Sequence, residues 1–151
     1  GLYSRTAYYD KECEIDEKII NKQIKDLGVI LIDLNDLKLI NDNYGHDKGD
    51  IALINISEMI KNVFGLENSY RIGGDEFVVI LEDTSNIEEL VNKFVSTMND
   101  NNAEEPWISV KAAIGYEVYN NQEDYYLSNL LVEADKKMYE NKQIMKSKDK
   151  A

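Results

Sequence analysis

The amino-acid sequence predicts an α/β (α+β) sandwich, in which helices surround a mainly antiparallel central sheet. Three observations indicate this fold class. Apolar residues recur at helical spacing in five segments, a continuous apolar run of strand length begins at Gly28, and residues 70–81 read as two strands around a tight turn. This mixed order with one hairpin favours helices packed on an antiparallel sheet. We expect a single domain over residues 1–151, without internal repeats.

The first predicted helix runs from Ser4, a suitable N-cap, through Lys25. A buried strand is expected over Gly28–Ile32, because a continuous apolar run suits a strand that is covered on both faces, and this strand ends at Asp33. Since a helix begins almost at the first residue, we expect that the domain is truncated at its N-terminus and was excised from a longer protein.

Two helices follow this strand. Residues 36–44 form a short predicted helix that Gly45 closes, and Asp47 is a plausible N-cap for a longer helix that ends at Gly65. Apolar residues recur in the longer helix at the spacing of a buried stripe.

The hairpin tip, Gly73-Gly74-Asp75-Glu76, lies between the two short apolar runs of residues 70–81. Gly-Gly is a favoured hairpin centre because neither residue carries a Cβ that clashes at positive φ. The missing side chains would also let a bulky ligand lie against the backbone. An ordinary polar turn is the alternative interpretation of these four residues taken alone.

The C-terminal half of the chain adds a helix, a strand and a helix. A helix is expected over Asn86–Met98. Pro106 introduces a strand over residues 107–116, because proline is acceptable at the first position of a strand, where no N–H donor to the sheet is required. The last helix is predicted over residues 125–145, with residues 146–150 frayed.

The charge balance narrows the possible partners. With 29 acidic and 17 basic residues, the net charge of −12 argues against nucleic acid and anionic lipid. A small phosphorylated ligand is compatible with it, because divalent cations can supply positive charge locally. Cys13 is the single cysteine, and no segment approaches the roughly 18 apolar residues of a membrane span. We expect a cytoplasmic domain without direct membrane contact.

Two acidic residues at strand ends form the candidate chemical site. If the strands beside Asp33 and Asp75 are neighbours, both carboxylates meet at one edge of the sheet, where their repulsion favours a bound cation. Oxygen ligands without nearby His or Cys select Mg²⁺ or Mn²⁺. With Lys38 reaching toward phosphate oxygens, these groups suit phosphoryl or nucleotidyl transfer. The alternative is that Asp33 caps the following helix and Lys38 is a solvated surface residue.

Two further polar residues suit a nucleobase. The Asp50 carboxylate could accept hydrogen bonds from the N1–H and amino groups of guanine, and the Asn41 amide could add a contact. Taken singly, each of them could equally be a cap or loop residue.

These residues lie in motifs that resemble a known family. Gly73-Gly74-Asp75-Glu76-Phe77 spells the signature of GGDEF domains, the diguanylate cyclases. Other motifs of the family are similar to Gly1-Leu2-Tyr3-Ser4-Arg5, to residues 33–50, to Arg71, and to Ala134-Asp135-Lys136-Lys137-Met138-Tyr139 with Lys142. The resemblance covers almost the whole chain. It implies a palm-like fold related to adenylyl cyclases and polymerases.

The resemblance also implies an activity, the condensation of two GTP molecules into cyclic di-GMP. Each domain of the family holds one GTP, so catalysis implies a homodimer with the two sites face to face. Control by an upstream sensory or regulatory domain is expected as well.

The roles of individual residues follow from the same resemblance. Mg²⁺ or Mn²⁺, two ions per site, would bind Asp33, Asp75 and the backbone carbonyl of Leu34. Asp75 would also act as a base, with Glu76 beside it as a catalytic residue, and Lys38 would stabilise charge on the phosphates. The implied substrate-binding residues are Asn41, His46, Asp50, Arg71, Gly73, Gly74 and Lys142. Capping of the next helix is the alternative role for His46.

The chain departs from the family pattern at several positions. Asn35 stands where the family often has Asp, and Leu37, Ala113 and Lys146 replace its usual Phe, Ser and Arg. Phe64-Gly65-Leu66-Glu67 replaces the Arg-x-x-Asp motif of product inhibition, so feedback through that site is not expected.

Three functions are therefore compatible with the sequence. The intact Asp75-Glu76 pair favours a diguanylate cyclase. Asn35, Lys146 and the missing motif of product inhibition weakly favour a catalytically weak or inactive module that binds GTP and regulates a neighbouring domain. A dimerisation platform that binds no nucleotide is the third interpretation.

Overall fold

The computed structural model of the chain describes residues 1–149. Over these residues it forms five α-helices, four β-strands and one short 3₁₀-helix at Leu66–Asn68. In chain order the elements are α1 (Arg5–Ile20), β1 (Gly28–Leu34), α2 (Leu37–Tyr44), α3 (His46–Phe64), β2 (Ser69–Arg71), β3 (Glu76–Leu81), α4 (Ile87–Asp100), β4 (Ala112–Val118) and α5 (Leu127–Asp149). None of these helices is long and apolar enough to serve as a transmembrane span.

The four strands form one antiparallel sheet in the order β2-β3-β1-β4. β1 lies inside the sheet, with Gly28 paired to Leu81 on β3 and to Val118 on β4. All seven residues of β1 are buried, which explains the continuous apolar run in the sequence. The predicted fold class, helices around a mainly antiparallel sheet, is confirmed.

Alternate residues of β1 belong to apolar cores on opposite faces of the sheet, as the two-residue period of a strand requires. The first core, with α3 and α4, includes Ile30, Ile32, Ile56, Ile60 and Phe94. The second core, with α1 and α5, includes Val29, Leu31, Ile15, Leu130 and Met138. Burial on both faces leaves the end of β1 as the place where polar side chains can face a ligand.

The hairpin of residues 70–81 is present, but its tip differs from the expected two-glycine turn. Residues 72–75 connect β2 to β3, and the backbone N–H groups of Ile72 and Gly73 both donate to the Glu76 carbonyl, at 3.0 and 3.3 Å. Among the described glycines, positive φ angles occur at Gly45 and Gly65 and not in the tip. The prediction of positive φ was therefore wrong, because the connection is longer than a two-residue turn.

The first helix is shorter than predicted. The Ser4 hydroxyl accepts a hydrogen bond from the Ala7 N–H at 3.3 Å, as expected of an N-cap, but the helix ends at Ile20 rather than at Lys25. Lys22 adopts a left-handed conformation with φ of 56°, and the Gln23 N–H donates to the Lys18 carbonyl at 2.8 Å. This backbone closure ends the helix without a glycine.

The boundary between α2 and α3 also differs from the prediction. Gly45 closes α2 as predicted, and it is also the N-cap of α3, with φ of 93°. Asp47, the predicted N-cap, instead lies in the first turn of α3, where its charge complements the helix dipole.

The strand predicted over residues 107–116 begins later, at Ala112. Residues 105–109 form a turn instead, in which the Ser109 N–H donates to the Glu105 carbonyl at 2.9 Å. The side-chain amides of Asn55 and Asn101 bind the carbonyls of Trp107 and Ile108, at 2.7 and 2.9 Å. These bonds occupy the backbone groups that a strand would use.

The last helix, α5, begins at Leu127 and extends to Asp149, beyond the predicted end at residue 145. The part of the predicted frayed tail up to Asp149 is therefore helical, and Lys150 lies outside the described residues. α5 packs closely on β4, where Gly115 is buried. A methyl group on Gly115 would overlap the Met138 nitrogen and the Ala134 carbonyl oxygen of α5.

Replacement of Gly115 by alanine tests this close approach. Because the added methyl group meets helix backbone rather than a movable side chain, Gly115→Ala should lower the free energy of unfolding by about 1–3 kcal/mol. Urea denaturation followed by circular dichroism measures it. The control is Gly74→Ala, whose added methyl group meets open space and should change stability by less than about 0.5 kcal/mol. Equal stability of the two variants would contradict the packing of α5 on β4.

Candidate active site

The carboxylates predicted from separate strands meet at one edge of the sheet. Antiparallel pairing places Asp33 of β1 opposite Glu76 of β3, and the Leu34 N–H donates to the Asp75 carbonyl at 2.9 Å. Burial and the nearby charge of Asp33 both raise the pKa of Asp75, which shows that the two carboxyl groups lie close together. The hairpin tip therefore brings its two acidic residues to the end of β1.

Asp33 is the buried member of this group, with 7% of its surface exposed. One carboxylate oxygen, Oδ2, accepts a hydrogen bond from the Lys142 ammonium at 3.0 Å. The other, Oδ1, is buried and has no hydrogen-bond partner within residues 1–149. Buried polar atoms in proteins nearly always have a partner, so this oxygen is positioned to receive a hydrogen-bond donor or a cation.

The other two carboxyl groups have pKa values above their ordinary range. Burial is the largest cause of the raised pKa at both Asp75 and Glu76, and the charge of Asp33 is the next. Asp135 on α5 adds to the effect at Glu76, whereas Lys142 lowers the pKa of both groups. A further positive charge at this edge would favour the ionised forms of all these groups.

The chemistry of these donors fits a hard divalent cation. The partnerless oxygen of Asp33 and the neighbouring carboxylate of Asp75 are ligands that Mg²⁺ and Mn²⁺ prefer. Mg²⁺ is usually bound through one or two carboxylates together with substrate phosphates. Within residues 1–149, no group of three or more acidic, histidine or cysteine side chains encloses a metal position.

Helix α5 supplies residues that the sequence did not single out for the site. The Asn141 side chain accepts a hydrogen bond from the Ile114 N–H of β4 at 3.0 Å, which fixes α5 on the sheet beside Lys142. Asp135 lies two turns earlier and acts on Glu76. The seven-residue spacing of Asp135 and Lys142 places them on one helix face, and this signal could have identified Asp135.

Arg71 supports the hairpin tip directly. Its guanidinium donates from Nε to the Gly73 carbonyl at 3.2 Å and from Nη2 to the Gly74 carbonyl at 2.7 Å. An added Cβ at Gly74 would meet open space, whereas one at Gly73 would approach the Glu76 carboxylate to 3.2 Å. The surface over Gly74 is thus open to a ligand.

Arg71 and Asp50 line the same cavity, which has a volume of about 570 Å³. Leu2, Leu53 and Ile54 provide apolar walls. A cavity of this size and mixed lining is suitable for a small ligand. The structure therefore brings together two of the predicted substrate-binding residues from α3 and β2.

Asn41 lies on α2 against a glycine of α3. Gly49 is buried, and a Cβ on it would overlap the Asn41 side-chain oxygen. Gly49 thus leaves the room that the Asn41 amide occupies. Gly49 was not predicted as part of the site, although a glycine inside a predicted helix was the available signal.

Lys38 and His46 lie outside the cluster of carboxylates. Lys38 has a side chain that is 91% exposed and forms an ion pair with Asp42 at 3.5 Å. His46 is the exposed first residue of α3, and no side-chain hydrogen bond caps that helix. The N-cap of α2 is Asp36, so the alternative in which Asp33 caps this helix is wrong.

The segment that replaces the product-inhibition motif begins with a residue of the apolar core. Phe64 is buried, and its ring packs on that of Phe94 with a centroid distance of 5.7 Å. The side chain at the first position of the motif therefore stabilises α3 against α4 and is not available to a surface ligand.

Comparisons with known proteins show what the chain is similar to. The model of the family described as "Diguanylate cyclase, GGDEF domain" matches residues 1–148. The chain is 37% identical over 127 residues to diguanylate cyclase A of Treponema denticola, which covers 78% of this chain and 33% of that protein. It is 33% identical over 132 residues to the bifunctional diguanylate cyclase/cyclic di-GMP phosphodiesterase MucR of Pseudomonas aeruginosa, covering 82% of this chain and 19% of MucR. The chain thus spans a third or less of the length of these two relatives.

Solved structures share the fold. The active GGEEF domain of a diguanylate cyclase from Vibrio cholerae superposes with a TM-score of 0.75 at 22% identity, covering 94% of this chain and 91% of that one. The GGDEF domain of FimX from Pseudomonas aeruginosa gives a TM-score of 0.78 at 15% identity, covering 93% and 89%. The match of the family model over nearly the whole chain, together with this fold, shows that the protein belongs to the family of GGDEF domains, the diguanylate cyclases.

Proposed function

We propose that this domain is a diguanylate cyclase that condenses two GTP molecules into cyclic di-GMP. The convergence of Asp33, Asp75 and Glu76 at one edge of the sheet, with a buried oxygen of Asp33 left without a partner, carries the proposal. In the reaction, the 3′-oxygen of each GTP attacks the α-phosphorus of the other, and two pyrophosphates leave. Each 3′-hydroxyl loses its proton to a base.

Divalent cations are assigned to the acidic edge. Asp33, Asp75 and the Leu34 carbonyl would hold Mg²⁺ or Mn²⁺, two ions per site, and bound cations would neutralise the triphosphate. Asp75 would accept the proton of the 3′-hydroxyl. Burial and the charge of Asp33 raise the pKa of Asp75 in the cation-free domain, and bound cations would keep its carboxylate ionised and able to accept a proton. Glu76 holds further negative charge beside it.

Substrate recognition is assigned to the neighbouring surfaces. Asp50 would bind guanine at the cavity that it shares with Arg71, and Asn41 would add a contact from α2. The open surface at Gly74, with the neighbouring backbone of Gly73, would accept the ribose and phosphates. His46 would border the base.

Two lysines are assigned to the phosphates. Lys142 already lies at the carboxylate edge. Lys38 would exchange its ion pair with Asp42 for a phosphate oxygen, which an exposed side chain can do at little cost.

Each domain would hold one GTP, so the reaction requires a second domain. We assign this role to another copy of the chain, with the two acidic edges facing each other. The greater length of the curated relatives supports control by a further sensory or regulatory domain.

A GTP-binding regulatory module is the second candidate. The exposure of Lys38 and its pairing with Asp42 favour it, because the lysine assigned to the phosphates lies outside the carboxylate group. This module would bind GTP through the same cavity without forming product.

Turnover of GTP distinguishes these two functions. The domain, fused to a dimerising coiled coil, is incubated with GTP and Mg²⁺, and cyclic di-GMP is quantified by chromatography. Product is expected, and Asp75→Ala should reduce its rate by at least about 100-fold, since a base and a cation ligand are lost together. Asp10→Ala, on the exposed side of α1, is the acidic control that should leave the rate unchanged. GTP binding without product from the wild-type fusion would contradict the cyclase and leave the regulatory module.

The raised pKa of Asp75 makes a prediction about stability. Ionisation of Asp75 is less favourable in the folded domain than in the unfolded chain. The free energy of unfolding therefore falls as the pH rises above the ordinary pKa of 3.8, and it stops falling once the pH has passed the raised pKa of the folded domain. Asp75→Asn should therefore raise the free energy of unfolding at pH 7.5 in EDTA, and the gain should disappear as the pH falls below 3.8. Guanidinium denaturation at both pH values measures this.

The control for this effect is an aspartate with the opposite shift. Hydrogen bonds from Ser85 lower the pKa of Asp83, so Asp83 stabilises the fold above its ordinary pKa and loses this effect at lower pH. Asp83→Asn should reduce stability at pH 7.5. If Asp75→Asn also reduces stability there, the electrostatic description of the acidic edge is wrong.

The guanine assignment predicts a change in nucleotide preference. Asp50→Ala removes the acceptor for the guanine N1–H and amino group, so the preference for GTP over ATP should fall by about tenfold. Competition between the two nucleotides, measured by fluorescence with a labelled GTP, reports this ratio. Asp47→Ala, one turn away in the same helix, is the matched control. An unchanged ratio in Asp50→Ala would remove Asp50 from base recognition.

A further inference from the structure

The ammonium group of Lys142 forms an ion pair with the carboxylate of Asp33. Its Nζ lies 3.0 Å from Asp33 Oδ2, and its side chain is 30% exposed. Asp33 is buried near the charges of Asp75 and Glu76, so the ammonium compensates a group of carboxylates rather than one. A single positive charge is less than the negative charge present, and compensation is therefore incomplete.

The surroundings of Lys142 favour this single pairing. Lys142 borders a small cavity of about 50 Å³ together with Asn35, Asp36 and Lys146. Asn35 is neutral, its Nδ2 contacts the Met145 sulfur at 3.5 Å, and its Oδ1 is buried without a partner. In the part of the chain that the structure describes, the ion pair of Lys142 is with Asp33.

A divalent cation and this ammonium would compete for Asp33. Two positive groups at one carboxylate repel each other, and the repulsion is strong where water is partly excluded. The flexible stem of a lysine lets its ammonium move by several ångströms without any change in the helix. The same side chain can therefore serve two partners in turn.

We propose that Lys142 is an internal counter-ion for Asp33, which an incoming divalent cation displaces, so that the ammonium is released to the triphosphate. The ion pair preserves the acidic edge when no cation is bound, and it weakens binding of a cation that arrives without nucleotide. When a triphosphate arrives with the cation, its oxygens replace Asp33 as the partner of Lys142. The site thereby favours the cation–nucleotide complex over the cation alone. This inference rests on the cation site of the proposed function.

Calorimetric titrations of the 151-residue chain with two probes test it. Removal of the competing charge in Lys142→Met should make Mn²⁺ alone bind tighter by about tenfold. Loss of the phosphate contact should make α,β-methylene GTP with Mg²⁺ bind weaker by about tenfold. A residue with a purely structural role would not change the two affinities in opposite directions. In EDTA, the melting temperature of Lys142→Met should be below that of wild type.

Three further variants serve as comparisons. Lys148→Met, later in α5, should leave both affinities unchanged because its exposed ammonium has no ion pair with Asp33 among the described residues. Lys142→Arg keeps the charge and should retain the wild-type affinity for Mn²⁺. Lys142→Gln replaces Lys142→Met if that variant does not fold, and the same two opposite changes are expected of it.

The outcomes separate this inference from the proposed function. If wild type binds Mn²⁺ and Lys142→Met binds it equally or more weakly, the counter-ion role of Lys142 is wrong, whereas the cation site remains. Binding of Mn²⁺ by neither protein overturns both. If Lys142→Met binds Mn²⁺ more tightly but its nucleotide affinity is unchanged, the proposal that the Lys142 ammonium moves to the triphosphate is wrong.

Discussion

The structure depends on the concentration of negative charge at one edge of its sheet. Antiparallel register fixes Asp33 opposite Glu76, and the turn before β3 adds Asp75. These carboxyl groups are partly removed from water, so solvent does not fully relieve their repulsion. Packing gives no reason for such an arrangement, because neutral residues would stabilise the hairpin tip better. A function that brings positive charge to this edge does explain it.

Packing elsewhere in the domain positions groups around this edge. Gly115 allows α5 to approach β4 closely, and Asn141 binds the β4 backbone. Together they hold Lys142 where it reaches Asp33. On the other side of the hairpin, Arg71 fixes the tip carbonyls and borders the cavity with Asp50. The carboxylates, the internal ammonium and the cavity are thus positioned by the same packed strands and helices.

Local sequence signals were sufficient for the order of the elements, because a buried strand and a hairpin each have a clear pattern. The meeting of Asp33 with Asp75 was predicted only on the condition that their strands are neighbours, and the pairing of β1 with β3 meets that condition. Several boundaries were not predictable in this way. A left-handed Lys22 ends α1, and the Asn55 amide holds the segment before β4, and neither interaction produces a periodic pattern. The ion pair of Lys142 with Asp33 joins residues 109 positions apart, so it depends on the packing of α5.

Anomalous diffraction from crystals grown with Mn²⁺ and α,β-methylene GTP is the most direct measurement of the central claim. The expected result is a manganese peak within coordination distance of the Asp33 and Asp75 carboxylates and of the triphosphate oxygens. Nucleotide bound in the crystal with manganese absent from these two carboxylates, or manganese bound only elsewhere on the domain, would contradict the account.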